Sequence, residues 1–384
     1  MKFIHLGDLH IGKTLGEYNL IDDQKYLLDQ ILDIIKEKSV DAVLIAGDVY
    51  DRALPSEAAV DLLDYFISAL AENGTKAFII SGNHDSEDRL NYGRKLFAGR
   101  GIHIVSKFYG KLGIYEEDDD YGKLNICLLP FIKASQVRYF YPDEEIGSYE
   151  DAVRTVIENA NIDYSQRNIL IAHQFVTGET DPAIAGSEGA SVQNVGLVEK
   201  ISCEAFKDFD YVALGHLHSP QKVGYENIRY SGSLMKYSLS EAYSNKSVPV
   251  INVKEKGNVE IEIIPLKPLR DLRHITGKLE QLLKSENITD PEDFMYVTLT
   301  DEDIINDAMS IVQQYYPSTV KIDYNNSHTK EIENFSIGEI AENKSFDELI
   351  SDFYKKMYGT DISEEELKIM MDVAREAGVI HEAN

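Results

Sequence analysis

The sequence is poor in the features that mark a secreted, disulfide-held or membrane protein. It holds two cysteines, Cys127 and Cys203, each among apolar neighbours, so two reduced, buried thiols are expected, and a disulfide framework or a thiolate zinc cluster is excluded. No run of residues approaches the roughly 18 consecutive apolar positions that a membrane-spanning helix needs. The opening Met-Lys-Phe-Ile-His-Leu-Gly-Asp places an acid at position 8, so no signal peptide is expected and the reading is a cytoplasmic protein with no membrane association. Positive charge is also scarce. Lys and Arg number 38 against 66 Asp and Glu, and the net charge of −28 repels polyanions at long range. That balance speaks against a free-standing nucleic-acid binder, which usually presents a basic face. Internal repeats and low-complexity tracts are absent as well. What remains is an ordinary folded composition, 43% hydrophobic and 27% charged, with room in 384 residues for one large core and a smaller one.

The chain begins with alternating strand and helix patterns. Phe3–Leu6, Val43–Ala46 and Ala77–Ile80 are short apolar runs flanked by Gly or Asp, as buried strands are. Between them lie two amphipathic helices. The first carries Leu27, Leu28, Ile31, Leu32, Ile34 and Ile35, with Asp22 or Asp23 near its start; the second carries Leu62, Leu63, Phe66, Ile67 and Leu70 between Pro55-Ser56 and Gly74. A β-α-β-α-β order predicts three parallel strands with right-handed crossovers. Further strands are expected at Ile102–Val105, Leu124–Leu129, Ile169–Ala172, Tyr211–Leu214 and Val248–Val253. The acidic run from Glu116 to Asp120 is read as a solvated hairpin or loop. Pro265-Leu266-Lys267-Pro268 marks a boundary. Beyond it come a strand at Leu272–Thr276, a helix at Lys278–Lys284, a strand at Phe294–Thr300, a helix at Asp303–Tyr315 and a strand at Val320–Tyr324. The expected domains are therefore 1–265, a small α/β capping domain at 266–325, a polar linker at 326–344 and a helical tail at 345–384. The tail helices open with Ser345-x-x-Glu348 and Ser363-x-x-Glu366 capping boxes, with Gly359 between them. The first helix carries Phe346, Leu349, Ile350, Phe353, Tyr354 and Met357, and the second Leu367, Met370, Met371 and Ala374. They either dock on a partner or pack on their own domain.

Five short blocks stand at or just beyond predicted strand ends: Gly7-Asp8-Leu9-His10, Gly47-Asp48, Gly82-Asn83-His84-Asp85, His173, and Gly215-His216-Leu217-His218. Ligands of open α/β sheets bind outside the carboxyl ends of the strands, so these blocks are expected to converge. Alone, each is a turn or an ordinary histidine. Together they hold five of the ten histidines, which points to a shared metal site; His5, His103, His274, His328 and His381 are read as structural. Carboxylate, imidazole and amide oxygen form a mixed set suited to Mn²⁺, Fe²⁺ or Zn²⁺. Glycine before Asp8, Asp48, Asn83 and His216 is expected to let the chain turn sharply and approach an ion. Asp48 is the candidate to bridge two ions, which can clamp the entering and leaving oxygens of an in-line displacement. His84 follows a ligand directly and is the candidate catalytic group, stabilising or protonating the leaving oxygen. Asp85 either orients His84 or caps the next helix.

The order Asp-x-His, Gly-Asp, Gly-Asn-His-Asp, His, Gly-His-x-His resembles the calcineurin-like metallophosphoesterase superfamily. The intervening stretches are similar to its bacterial nuclease-subunit branch: Ala172–Gly178, Phe209–His216, Arg229-Tyr230-Ser231-Gly232-Ser233, Lys246-Ser247-Val248 and Pro268–Arg273. The likeness runs to about residue 325, and the tail agrees in type only. The resemblance implies an α/β/β/α four-layer domain with two ions, usually manganese. It places one ion on Asp8, His10, Asp48 and His218, the other on Asp48, Asn83, His173 and His216, and the catalytic role on His84. It further implies a homodimer, DNA as substrate, a role in repair and recombination, and an SMC-like ATPase partner in a heterotetramer with two copies of each subunit. The implied activities are double-strand exonuclease and single-strand or hairpin endonuclease cleavage. One position departs: archaeal and eukaryotic relatives carry histidine three residues after the bridging aspartate, where this chain has Asp51. Lys267, Arg270, Arg273 and Lys278 form one basic cluster, read as a phosphate contact or a solvated strand face. A phosphodiesterase or phosphatase acting on a small molecule or phosphoprotein is the alternative that the acidic charge favours.

Overall fold

Apolar runs at Lys2–Leu6 (β1), Ala42–Ala46 (β2), Lys76–Ile80 (β3) and Ile102–Val105 (β4) become four parallel strands, joined by crossovers that include the helices Ile21–Lys38 (α1) and Glu57–Glu72 (α2). This is a computed structural model. It describes residues 1–186, 200–327, 346–358 and 360–376, and it divides into two units, Met1–Arg273 and His274–Asn384. His328, Ser345, Gly359, His381 and most of the expected 326–344 linker lie outside the described residues. No helix among the described residues is long and apolar enough to cross a membrane.

The first unit holds a second sheet of the same plan. Its strands are Gly113–Asp119 (β5), Gly122–Leu129 (β6), Arg167–His173 (β7), Tyr211–Gly215 (β8), Gln221–Val223 (β9) and Tyr225–Tyr230 (β10). With Ser247–Val253 (β11) and Val259–Pro265 (β12), the orders are β12-β11-β1-β2-β3-β4 and β9-β10-β8-β7-β6-β5. Each sheet has four parallel strands; in the first the antiparallel β11 and β12 both lie beyond β1 and β4 is a parallel edge, whereas in the second β9 and β5 are antiparallel edges on either side. One face of each sheet meets the other. Phe3, Leu44, Phe78 and Ile80 pack against Ile126, Leu128, Ile169, Ile171 and Tyr211 in a fully buried layer. Helices cover the outer faces: Leu28, Ile31 and Phe66 on the first sheet's side are buried, and helices Ala134–Phe140 and Tyr149–Glu158 pack Val137, Val153 and Val156 on the second. The result is the expected α/β/β/α order of four layers.

The acidic run forms the edge strand β5 of a hairpin with β6. Some of its charge is paired: Asp119 with Arg167 at 2.6 Å and Glu117 with Lys76 at 2.5 Å. Both cysteines are free and buried. Ser56 caps α2 as the sequence implies, its hydroxyl accepting from the Ala59 amide. The strands β9, β10 and β12 escape the sequence pattern. Gly224 interrupts the first pair at a bulge, and β12 is a half-exposed edge strand ending in proline.

Leu272–Gly277, which runs across the unit boundary, and Phe294–Leu299 and Thr319–Tyr324 form a three-stranded sheet, and the second unit's core holds Met295, Val297, Leu299, Val312 and Tyr316. The helices are shorter than expected. Lys278–Lys284 reduces to Leu279–Leu282, and Asp303–Tyr315 to Ala308–Gln313. The cause of the second is local: Asp307 is left-handed (φ 55°), and the Ile305 amide donates to Tyr324 Oη instead of entering a helical turn. The tail helices are Phe346–Tyr358 and Glu364–Glu376, and the Ser363–Glu366 capping box is formed in both directions.

Candidate metal centre

All five blocks arrive at one place because both sheets present their carboxyl ends on the same side. Parallel register sets β1 level with β2 and Gly215 beside His173. The loops then tie to one another: the Asp8 amide donates to Gly47 O, the His10 amide to Asp48 O and the His84 amide to Asp48 Oδ1. Across the sandwich the His216 amide donates to the Asp8 carboxylate, 2.9 Å from Oδ1.

Such crowding is possible only with glycine at the crossings. A Cβ on Gly82 would lie 2.1 Å from Asp48 Oδ1, and one on Gly215 would lie 1.9 Å from Ala46 O. The glycines therefore let loops pass one another. Of the four expected to turn the chain, only Gly47 is left-handed, and Asp8, His10, Asp48 and His216 themselves carry positive φ. Among the described residues, half of the eight non-glycine residues with positive φ are candidate ligands. Backbone strain of this kind costs about 1–3 kcal/mol per residue and persists where surrounding structure enforces it.

The donor atoms fall into two groups about one oxygen. Asp48 Oδ2 lies 3.6 Å from His10 Nε2 and 3.3 Å from His173 Nε2. On one side, His10 Nε2 and His218 Nε2 face each other at 3.0 Å, and Asp8 joins them within 4.8 Å. On the other, His173 Nε2 and His216 Nδ1 each lie 3.0 Å from Asn83 Oδ1. The far nitrogen of His173 is tied to Ala46 O at 2.7 Å, which fixes the ring. Burial lowers the affinity of His10, His216 and His218 for protons, His216 to about 3, so these rings offer lone pairs. Burial would also lower His173, but the Asp48 carboxylate beside it outweighs this and lifts it to about 9. Asp48 in turn is held well below the usual carboxylate range: burial would raise it, and the His173 charge overrides that. Buried, convergent nitrogen and oxygen donors around a shared carboxylate fit a pair of divalent cations.

His84 sits beside the first group, its ring 4.9 Å from that of His10. Its Nδ1–H donates to Asp51 O at 3.1 Å, leaving Nε2 as the nitrogen available to substrate. Asp85 fills neither of its expected roles. Its carboxylate accepts from the amides of Val49, Tyr50 and Gly82, binding the Asp48 loop to the Asn83 loop, and the next helix is capped by Ser86. Burial and the nearby Asp48 raise Asp85 to about 6. Asp51 lies 3.4 Å from His10 Nδ1 and 2.8 Å from Lys13 Nζ.

Several supporting residues carried no chemistry in the sequence reading. Behind His218, Lys246 donates to His218 O at 2.7 Å, to Ser233 Oγ at 2.8 Å and to Glu241 Oε2, and the Glu241 carboxylate lies 4.0 Å from His218 Nδ1. Lys246 and Glu241 are 6% and 1% exposed, so removing either leaves an uncompensated buried charge. Gln24 holds the first loop by donating to His10 O at 2.7 Å, and Tyr230 holds the loop after His173 through the Val176 amide. Their only signal was the family-like text around Tyr230, Ser233 and Lys246. Of the basic cluster, Arg270 is committed to a half-buried ion pair with the buried Asp23 on α1, so it is no free phosphate contact.

Comparison with known proteins gives the family. The calcineurin-like phosphoesterase profile matches residues 1–220, and the profile described as the type 5 capsule protein repressor C-terminal domain matches 268–358. The D component of the nuclease SbcCD from Staphylococcus epidermidis is 33% identical over 369 residues, covering 95% of each chain. A dimetal phosphatase crystal structure from Danio rerio aligns over 70% of this chain and 99% of its own, with 13% identity and a TM-score of 0.38. The chain therefore belongs to the calcineurin-like phosphoesterase family, on its SbcD branch.

Proposed function

We propose that the chain is a metal-dependent DNA nuclease subunit, cutting phosphodiester bonds as a double-strand exonuclease and as a single-strand or hairpin endonuclease. The observation that carries this is the pair of buried donor groups on either side of Asp48 Oδ2, with His84 beside them. Asp8, His10, Asp48 and His218 would hold one divalent ion, and Asp48, Asn83, His173 and His216 the other. The ions, manganese on this reading, supply charge neutralisation and an activated water for in-line attack. The chain does the rest. The loops hold the phosphate in line between the two groups, and His84 donates a proton from Nε2 to the leaving oxygen. Asp85 keeps the Asp48 and Asn83 loops in register.

The partner on this reading is an SbcC-type SMC-like ATPase, in a cytoplasmic complex with two copies of each subunit that acts in DNA repair and recombination. Two observations support it. Phe353, Ile369 and Val373 on the tail helices are 52%, 63% and 60% exposed, an apolar face suited to a coiled coil. On the first unit, Leu54, Tyr92 and Leu96 are 68%, 85% and 80% exposed beside a groove lined by Val60, Leu63 and Ile67, which suits a homodimer contact. Residues 266–325 act as a cap on this account, and 345–384 as the docking segment. The partner also answers the charge of −28, by bringing the basic surface that this chain lacks.

The test compares hairpin DNA with a small aryl phosphodiester, using the manganese-loaded chain with and without its ATPase. DNA cleavage that strengthens with the ATPase is expected. Turnover of the ester with no DNA cleavage under any condition selects the small-molecule phosphodiesterase that the acidic charge favours.

A further inference from the structure

Next to the second donor group, and sharing Asn83 and His216 with it, lies a cavity of about 480 Å³ whose outer walls have no role in the reading above. Asn83 and His216 form its inner wall. Phe131 and Tyr149 form its sides, their rings 6.3 Å apart, and Phe131 lies nearly parallel to the His216 ring at 6.4 Å and 24°. Gln174 lines it from a fully buried position. Its Nε2 donates to Ile132 O at 3.2 Å, but its Oε1 is buried with no hydrogen-bond partner. Lys133 stands exposed at the rim, and no ion pair among the described residues engages its ammonium.

Each feature constrains a ligand. Flat aromatic walls favour a planar ring, whereas an unmet buried carbonyl oxygen demands an N–H donor and would penalise a purely apolar occupant. The rim lysine favours an anion on its own side, away from the Glu87 carboxylate that accepts from Gln136 Nε2 at the same rim. The cavity opens on metal-candidate ligands, so that anion is continuous with the reacting phosphate. A planar heterocycle bearing ring or exocyclic N–H and attached to a phosphate is a nucleotide.

We propose that this cavity is a nucleobase subsite: it receives the base next to the scissile phosphate, unstacked from its neighbours, on the face of Phe131, with the Tyr149 ring, tilted 47° to Phe131, bounding it at the side and Gln174 Oε1 accepting from it. This rests on the nuclease reading and sharpens it. Stacking on a side chain tolerates every base, so the subsite contributes affinity without sequence preference. It also favours substrates whose bases leave the stack easily, namely single strands, hairpin loops and frayed ends.

The test is calorimetric binding of deoxyadenosine 5′-monophosphate and of 2-deoxyribose 5-phosphate to the manganese-loaded full-length chain. The nucleotide should bind about tenfold more tightly than the sugar phosphate, the range that one stacked base supplies. Phe131→Leu and, further from the ligands, Tyr149→Leu should remove that difference while bound manganese per chain is unchanged by elemental analysis. Lys133→Ala should weaken both ligands alike. In a hairpin, an abasic residue beside the cleaved bond should slow cutting by a similar factor, which distinguishes a strand from a free nucleotide as the occupant. Equal affinities in the wild type, or a difference that survives both leucine variants, overturn the subsite. Hairpin cleavage by the same wild-type preparation is scored separately. Equal affinities with cleavage sink the subsite alone, and discrimination without cleavage sinks the nuclease reading alone.

Discussion

The two sheets of the first unit share a plan but contribute opposite chemistry. The loops after β1, β2 and β3 bring the oxygen donors Asp8, Asp48 and Asn83 with one imidazole, His10; those after β7 and β8 bring only imidazoles, His173, His216 and His218. They are also held differently. The first sheet's loops rely on positive φ at Asp8, His10 and Asp48 and on amide bonds between neighbouring loops. Gln24 and Asp85 add side-chain ties there; the second sheet's loops have positive φ at His216 alone and lean on the buried side chains of Lys246, Glu241 and Tyr230. Neither sheet alone assembles a full set of donors, so the metal centre reports that the sandwich has closed. At the other end of the strands Arg167 makes a purely structural link, from β7 to Asp119 and to Lys254 O.

The largest effect should come from breaking the shared donor. Asp48→Ala should abolish binding of both cations and lower cleavage by at least about a thousandfold, because both groups use it; manganese titration and hairpin assay check this, and one ion still bound tightly would make Asp48 private to a single site. His84→Ser should lower turnover about 10²–10⁴-fold while leaving two ions bound and the melting temperature close to wild type. Lys246→Met should weaken manganese binding about 10–100-fold, as loss of a residue behind a metal-binding histidine does, with a smaller change in turnover once the metal is saturating.

A proton makes a finer comparison. The metal-free His173 titrates at about 9, so it is charged at pH 7.5 and must lose that proton to donate to a cation. Manganese binding at pH 7.5 should release one proton from this source, measured by calorimetry in buffers of different ionisation heat, and the release should fade as pH rises through about 9. Smallest in its consequence for the site is Asp119→Asn. Burial would raise this carboxyl, but Arg167 holds it below the usual range. Its stabilisation is thus present above the ordinary carboxylate pKa of about 4 and is lost as pH falls further. The variant should lose about 2 kcal/mol at pH 7, less in acid, and manganese affinity should hold.

Much of this was legible in the sequence because the ligands sit where strand signals end. A short apolar run followed by Gly-Asp or Gly-Asn-His fixes both a strand terminus and a donor, so β1, β2, β3, β7 and β8 could be placed with their cargo. The supporting residues were hidden for a physical reason. Lys246 and Glu241 look like surface charges, and only tertiary packing shows them 6% and 1% exposed behind His218. Asp85 was misjudged because its partners are backbone amides of a loop 35 and 36 residues away, which side-chain chemistry cannot announce. The second unit's helices came out too long because the apolar periodicity at Ile304 and Ile305 cannot show that Asp307 turns left-handed between them and the helix; Ile305 packs on the core without a helical turn.

The most direct measurement is an anomalous-scattering crystal structure of the manganese-soaked protein. Two peaks about 3.5–4 Å apart, one on each side of Asp48 and both within reach of its carboxylate, are predicted. A single peak, or a second one seated away from Asn83, His173 and His216, would contradict the account.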